Sequence, residues 1–509
     1  MKTLFRDLWL ADGSNSPLRK CAVLIHDDRV VAVESEITRS AADKTISLGG
    51  KVLAPGFIDV HGHSDLSIWA KPEAFGKVSQ GITCEIMGNC GLSAFPISSR
   101  NKEHLLELYR QYGAELNWTD FAGWRDALCE RKPQIRVAAL VGHNTLRAAV
   151  AGYGNELLSA RQLAEMRQLL ERELSAGVLG LSSGLLYVPG KFATPAEITE
   201  LMHVVAKHNK IYTTHLRSEG DHLLESLDET IECAQRAGLK KLHISHFKTA
   251  GKANWGKLNA ALERLEDARS AGIRITVDRY AYTESMTQLS VILPGKAGDL
   301  DDSTLARLLD SPGERYRVTQ ELAQSRAGDY WENVTLVSTQ AAKFRADGGR
   351  TIAELAAREN RTPAELVVDL LRADASGTSA AFRGMSGENM RRIIALPFCM
   401  AGSDENARPA DYSIGRSHPR GFGNAARFLR IRLDENASIE SAVHQMTGLA
   451  AATFELHKIG LIEPGAFADL VGFDPDTIDG TTDFAHPHTP ATGILFTMLS
   501  GNFAKKVVL

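Results

Sequence analysis

The chain has 509 residues, 44% of them hydrophobic, enough for one large domain and a smaller one, which excludes disorder over its whole length. Its formal net charge is −4 with no basic block of the kind that neutralises phosphates, so nucleic acid is excluded as a partner class. Residues 1–7 carry charges where a signal peptide needs an apolar core, and no apolar run reaches about 18 residues, so no membrane span is expected. The six cysteines (Cys21, Cys84, Cys90, Cys129, Cys233 and Cys399) are scattered without a C-x-x-C pair, which points to free thiols and a cytoplasmic protein.

Residues 1–52 hold short β-like runs, Cys21-Ala22-Val23-Leu24-Ile25, Val30-Val31-Ala32-Val33 and Lys51-Val52-Leu53, separated by polar turns such as Ala11-Asp12-Gly13-Ser14-Asn15. The pattern returns near the end in Ala468-Asp469-Leu470-Val471-Gly472-Phe473 and Gly493-Ile494-Leu495-Phe496-Thr497. The terminal segments, 1–54 and 451–509, are expected to pair into one small β-sandwich bracketing a body over 55–450.

That body opens on Gly56-Phe57-Ile58-Asp59-Val60-His61-Gly62-His63. An apolar run ending in His-x-His reads as a strand. Side chains alternate along it, so His61 and His63 point the same way with Asp59 one step deeper, a natural pair of metal ligands. The theme then repeats. Candidate strands end at Gly88-Asn89-Cys90-Gly91, Gly142-His143-Asn144, Ser182-Ser183-Gly184, Thr214-His215-Leu216-Arg217, Ser245-His246-Phe247-Lys248, Asp278-Arg279-Tyr280 and Gly402-Ser403-Asp404. Helical stretches lie between them, for example over 159–176, 194–209, 221–237 and 260–271. Eight such units imply an α/β fold, a (β/α)8 TIM-like barrel whose active site lies where the strand ends converge. The spacing breaks between strands seven and eight, so an inserted subdomain is expected over 284–395. A loop rich in charge, glycine and proline, 405–422, follows strand eight as a candidate lid.

Five candidate ligands fall at the ends of strands one, two, five and six: His61, His63, Cys90, His215 and His246. A zinc ion on one thiolate and two neutral imidazoles keeps a net charge of about +1. That charge lowers the pKa of bound water toward neutrality and supplies hydroxide, so hydrolysis is the natural chemistry. Asp404, at the end of strand eight, is the candidate general base, placed to pass a proton to a leaving amine. It is also a candidate ligand for a further metal with His61 and His63, and the residues leave one metal or two open. Lys248 leans the same way as His246, higher on the rim, where a point charge can hold a substrate carboxylate. Arg217, Arg279, Tyr187, Tyr280 and Tyr282 are further rim candidates.

At these residues the sequence resembles the amidohydrolase superfamily and, within it, the D-aminoacylase (N-acyl-D-amino-acid deacylase) family. The likeness runs nearly end to end. It is carried by Pro55-Gly56-Phe57-Ile58-Asp59-Val60-His61-Gly62-His63, Gly88-Asn89-Cys90-Gly91, Gly184-Leu185-Leu186-Tyr187-Val188-Pro189-Gly190 and Thr214-His215-Leu216-Arg217-Ser218-Glu219. It continues through Ser245-His246-Phe247-Lys248, Gly402-Ser403-Asp404, His418-Pro419-Arg420 and Ala468-Asp469-Leu470-Val471.

The resemblance implies a zinc-dependent hydrolase of N-acyl-D-amino acids, built as a barrel with a β domain from both termini. It implies a tightly held zinc on Cys90, His215 and His246, a weaker site at His61 and His63, and Asp404 as acid/base. Lys248 and Tyr187 look like the groups that hold the substrate carboxylate or polarise the scissile carbonyl. The partner is then a small N-acyl amino acid, with no nucleic acid and no membrane, and a homo-oligomer stays open. Three departures from the family pattern, Phe247, Ala281 and Glu405, are expected to border the substrate pocket. The rival reading is a cyclic-amide hydrolase of the dihydroorotase or hydantoinase type. Those enzymes commonly carry a carboxylated lysine on strand four, where this chain has Gly180-Leu181-Ser182-Ser183-Gly184. A non-catalytic relative is the other alternative, and such relatives usually lose ligands.

Overall fold

The computed structural model describes residues 1–109, 112–326 and 328–506. Its centre is a ring of parallel strands: Phe57–Asp59, Ile82–Met87, Arg136–Ala139 continued by Val141–Gly142, Gly180–Gly184, Ile211–His215, Lys241–Ile244, Arg274–Arg279 and Cys399–Ala401. Strands one to three form one ladder, and Val141–Gly142 through strand eight form another. Backbone bonds bridge both gaps. Leu179 N donates to Ala139 O at 2.8 Å on one side, and Val60 N to Ala401 O at 3.3 Å on the other. The expected TIM-like barrel is therefore present.

The helices outside the ring follow their sequence signals. Ala160–Ala176 begins with a capping box between Ser159 and Gln162 and stops at Gly177, whose φ of +113° suits a residue without a Cβ. Met166, Leu170 and Leu174 recur every four residues on its buried face. Pro195–Lys207 starts on Thr194, whose side chain accepts from Glu197 N, with proline in the first turn.

Lys2–Leu10 is a strand that the charged residues Lys2, Arg6 and Asp7 conceal in the sequence, and it is central to the terminal sheet. One edge pairs with Arg19–His26, with a bulge between Phe5 and Leu8 where Asp7 takes a φ of +53°. The other edge is shared by two strands, Lys44–Ser47 along its first half and Val52–Pro55 along its second. The sheet forks there. Through Val52–Pro55 it continues into Leu470–Phe473, Ile494–Leu499 and Asn502–Lys506 from the far end of the chain. The two leaves close on a common core in which Phe5 stacks on Phe496 with ring centroids 5.6 Å apart, beside Val23, Leu470 and Met498. Both termini thus build one sandwich.

After barrel strand seven the chain forms an antiparallel sheet of Glu284–Gln288, Ser379–Arg383 and Val334–Ser338. Helices cover it around a hydrophobic cluster separate from that of the barrel, including Leu305, Leu322, Leu336, Leu366 and Leu370. The loop over 405–422 is packed down and well exposed only at 410–413, unlike a free lid. The C-terminal segment fixes it: Thr482 Oγ1 donates to Pro419 O at 2.9 Å, and Ser417 N donates to His488 Nε2 at 3.2 Å. No described helix is long and apolar enough to cross a membrane.

Candidate metal centre

The strand ends bring two overlapping sets of side chains together at the barrel mouth. His61, His63, Cys90 and Asp404 offer ligand atoms within 4.8 Å of one another, and so do Cys90, His215 and His246. Cys90 belongs to both sets. Its Sγ lies 3.3 Å from His61 Nε2 and 3.4 Å from His246 Nε2. Asp404 Oδ1 lies 3.1 Å from His63 Nε2 and 3.5 Å from His61 Nε2. Cys90, His246 and Asp404 all have left-handed backbone, with φ of +52°, +36° and +52°. Apart from Asn and Asp, non-glycine residues rarely adopt that conformation, and residues held there gather at functional sites.

The donor set fits a metal ion. His215 is 5% exposed, yet neither of its ring nitrogens has a hydrogen-bond partner among the described residues. Its Nε2 is 3.7 Å from Glu219, too far for a hydrogen bond. A buried imidazole without a partner is costly, and a cation shared with Cys90 and His246 would satisfy it.

Charge in the site is arranged to favour ions. Burial pushes the Cys90 thiol up, but the neighbouring His61 and His246 outweigh it and hold the group well below the ordinary thiol range. Burial likewise lowers His63, but the Asp404 hydrogen bond and Cys90 raise it to about 10. Behind these groups, Asp278 receives His61 Nδ1 at 3.0 Å and His243 Nε2 at 2.9 Å. That bond fixes the ring so that His61 Nε2 faces Cys90, as carboxylates behind ligating histidines do. Burial raises Asp278, but His61 and His243 keep it ionised. His246 Nδ1 lies 2.8 Å from both Lys248 Nζ and Glu219 Oε1, and Lys248 and Glu219 are directly paired.

Some residues singled out from the sequence lie elsewhere. Tyr187 does border the site, edge-on to His215 at 4.9 Å, with its hydroxyl accepting from Thr287 Oγ1 at 3.2 Å. Arg279 faces away, donating to Tyr282 O at 3.1 Å and Met385 Sδ at 3.0 Å. Strand alternation explains this: Asp278 points into the barrel, so its neighbour points out. The Tyr282 hydroxyl is bonded to Thr482 Oγ1 at 2.9 Å, in the C-terminal segment. Tyr280 is enclosed, with the guanidinium carbons of Arg279 and Arg420 4.2 and 4.5 Å from its ring centroid. Arg217 is committed to Glu229 and to the carbonyls of Lys191 and Ala193. Arg420, by contrast, enters the site from the helix after strand eight. It is 1% exposed, and its Nη1 lies 2.9 Å from Asp404 Oδ2. Burial raises the Asp404 carboxyl, but Arg420 and His63 hold it well below the usual carboxylate range. The roles of Asp278, Glu219 and Arg420 have no local sequence signal beyond a place in the quoted motifs.

The three departures are all enclosed. Ala281 N donates to Asn424 Oδ1 at 2.8 Å, a bond that proline lacks the hydrogen to make. Glu405 does not border the pocket as expected. Its carboxylate accepts from Asn406 N at 3.0 Å and His418 N at 3.1 Å, and so is spent on the following loop. Strand four offers serines: Ser182 Oγ accepts from Gly91 N at 3.0 Å and so braces the loop that carries Cys90.

A parallel barrel with histidines on strand one and a metal-competent cluster at its mouth defines a metal-dependent hydrolase, and the chain belongs to the amidohydrolase family, which it matches over residues 44–504. Within that family its likeness is to the D-aminoacylases. It is 34% identical over 496 residues to the N-acyl-D-glutamate deacylase of Alcaligenes xylosoxydans xylosoxydans, covering 97% of this chain and 91% of that one. It is 32% identical over 498 residues to the D-aminoacylase of the same organism, covering 97% and 92%. A crystal structure of N-acyl-D-glutamate deacylase from Bordetella bronchiseptica, complexed with zinc and a phosphonate mimic of the tetrahedral intermediate, superposes with a TM-score of 0.83. That pair is 29% identical, with 99% of this chain and 97% of that chain covered.

Proposed function

We propose that this protein hydrolyses the amide bond of N-acyl-D-amino acids with zinc as its metal, releasing a carboxylate and a free D-amino acid. One observation carries the reading. Cys90 is shared by two overlapping ligand sets and lies beside a buried histidine, His215, whose nitrogens have no hydrogen-bond partner among the described residues. Cys90, His215 and His246 would hold the principal zinc, and His61 and His63, with Asp404, a weaker second site. Zinc bound there supplies a Lewis acid and an activated water.

The side chains divide the remaining work. Asp404, kept ionised by Arg420, is poised to accept the proton of the attacking water and hand it to the leaving amine. Tyr187, beside His215, is placed to polarise the acyl carbonyl. Lys248 and Arg420 bring positive charge for the substrate carboxylate. Arg279 and Tyr282 stand outside this set, because Arg279 Nη2 and the Tyr282 hydroxyl are engaged elsewhere. Preference for the D configuration rests on what the relatives act on. The six cysteines are unpaired, which supports a reducing, cytoplasmic setting. A cyclic-amide hydrolase finds less support, since strand four carries Ser182 and Ser183 and no lysine.

The test is a panel of N-acetyl- and N-formyl-D- and L-amino acids assayed by amine release on zinc-loaded protein. Release from D-substrates alone is expected. Activity confined to cyclic amides, or to L-substrates, would sink the proposal.

A further inference from the structure

Behind His61 and Asp404 lies a second group of buried charges that belongs to neither ligand set. Lys77 is fully enclosed, on the short helix Phe75–Val78 that leads into barrel strand two. Its ammonium donates to Asp59 Oδ2 at 2.7 Å, Ser403 Oγ at 2.9 Å and Glu405 O at 2.9 Å, so all three protons are used. Asp59 Oδ1 in turn accepts from His61 N at 3.2 Å and Ser403 N at 2.8 Å. Glu85, the other carboxylate near the ammonium at 3.4 Å, is bonded by Ser64 Oγ. Taking an ammonium and its partner wholly out of water is expensive, and an apolar side chain of similar volume would fill the same space. A charge kept in such a place calls for a role.

Its location supplies one. The barrel closes between strands eight and one, where the backbone ladder is sparse: Val60 N to Ala401 O at 3.3 Å, Asp404 N to His61 O at 2.7 Å and His63 N to Glu405 O at 3.3 Å. Asp404 sits in this seam with left-handed backbone, and Lys77 grips the residues on both sides of it, Ser403 and Glu405. Through Asp59 the same lysine reaches the backbone of His61.

We propose that Lys77 is a positioning residue. Through Ser403, Glu405 and Asp59 it locks Asp404 in its left-handed conformation and sets its separation from His61 and His63. The proposal rests on the acid/base role given to Asp404 above, and its test separates the two.

Lys77→Met removes the ammonium but leaves carboxylates without a partner, so the decisive variant is Lys77→Met combined with Asp59→Asn. Asparagine keeps an oxygen for the His61 and Ser403 N–H groups and removes the Asp59 charge, while Glu85 keeps its Ser64 hydrogen bond. Zinc-loaded double variant, wild type and Asp404→Asn are compared by kcat and KM on the best N-acyl-D-amino acid, and the double variant is crystallised. The double variant is expected to keep its zinc and to hold KM within about threefold, while kcat falls about 10²-fold, the usual consequence of misplacing a catalytic group by about 1 Å. Its crystal structure should show Asp404 out of the left-handed region or drawn away from His63. A purely structural lysine would lower the melting temperature but leave kcat per zinc-loaded molecule unchanged, and that result, or an unmoved Asp404, overturns the proposal. Should Asp404→Asn prove fully active, the acid/base reading falls, and the position of Asp404 in the double variant still decides whether Lys77 sets it.

Discussion

Replacing Cys90 by serine tests the metal centre where its two halves meet. Structural zinc held by four ligands gains about 10–16 kcal/mol on binding, about 3 kcal/mol for each ligand. Loss of the single thiolate, the one anion common to both sets, is therefore expected to weaken the first zinc by about 10²-fold or more. His63 is the natural control. It belongs to one set only and its side chain is 22% exposed, so His63→Ala should weaken that zinc by less than about tenfold. Competition against a chromophoric chelator reads both affinities, with the thermal transition as a check that each variant is folded. Equal losses in the two variants, or an unchanged affinity in Cys90→Ser, would refute the assignment of the principal zinc to Cys90, His215 and His246.

Other expected outcomes follow from the same geometry. Asp404→Asn should keep its zinc and lose about 10²–10⁴-fold in kcat, the range for a removed general acid/base; a near-normal kcat would dismiss that role. Asp278→Asn should loosen the metal at His61 and His63 by about 10–100-fold with little effect on the first zinc, as read by titration of metal-free protein. An unchanged second affinity would mean that the Asp278 bonds to His61 and His243 do not orient the ligand. Brief treatment of native protein with iodoacetamide should modify exposed Cys129 and spare Cys84, which is 1% exposed and pushed up to about 12 by burial. Labelling of Cys84 in the native state would contradict the packing of barrel strand two.

Much of the architecture is legible because it follows from local periodicity. Apolar runs ending in polar residues, with amphipathic helices between them, leave few alternatives to a parallel barrel, and the returning β pattern near residue 470 announces the sandwich. Lys2–Leu10 is hidden because three charged residues interrupt its alternation, and its role as the fork of the sheet depends on pairing with Lys44–Ser47 and Val52–Pro55, which no local window sees. The site divides along the same line. Cys90, His215 and His246 can be picked out by residue type at a strand end, but Asp278, Glu219, Arg420 and Lys77 act through partners distant in sequence. The direction of Arg279 is legible from strand periodicity. Two-residue alternation along strand seven sends it outward once Asp278 is placed inward, and residue type alone made it look like a rim cation. Glu405 is the converse case. A charged residue next to the candidate base suggests a pocket wall, but the backbone turn at Asp404 carries it into the hydrogen bonds of the following loop.

The most direct measurement of the central claim is a zinc titration of metal-free protein with amine release from an N-acetyl-D-amino acid followed at each step. No hydrolysis is expected without metal, with activity rising to its plateau at one zinc per chain and no such rise in Cys90→Ser at the same zinc concentrations. Activity that needs no zinc, or that reaches the same plateau in Cys90→Ser, would contradict that claim.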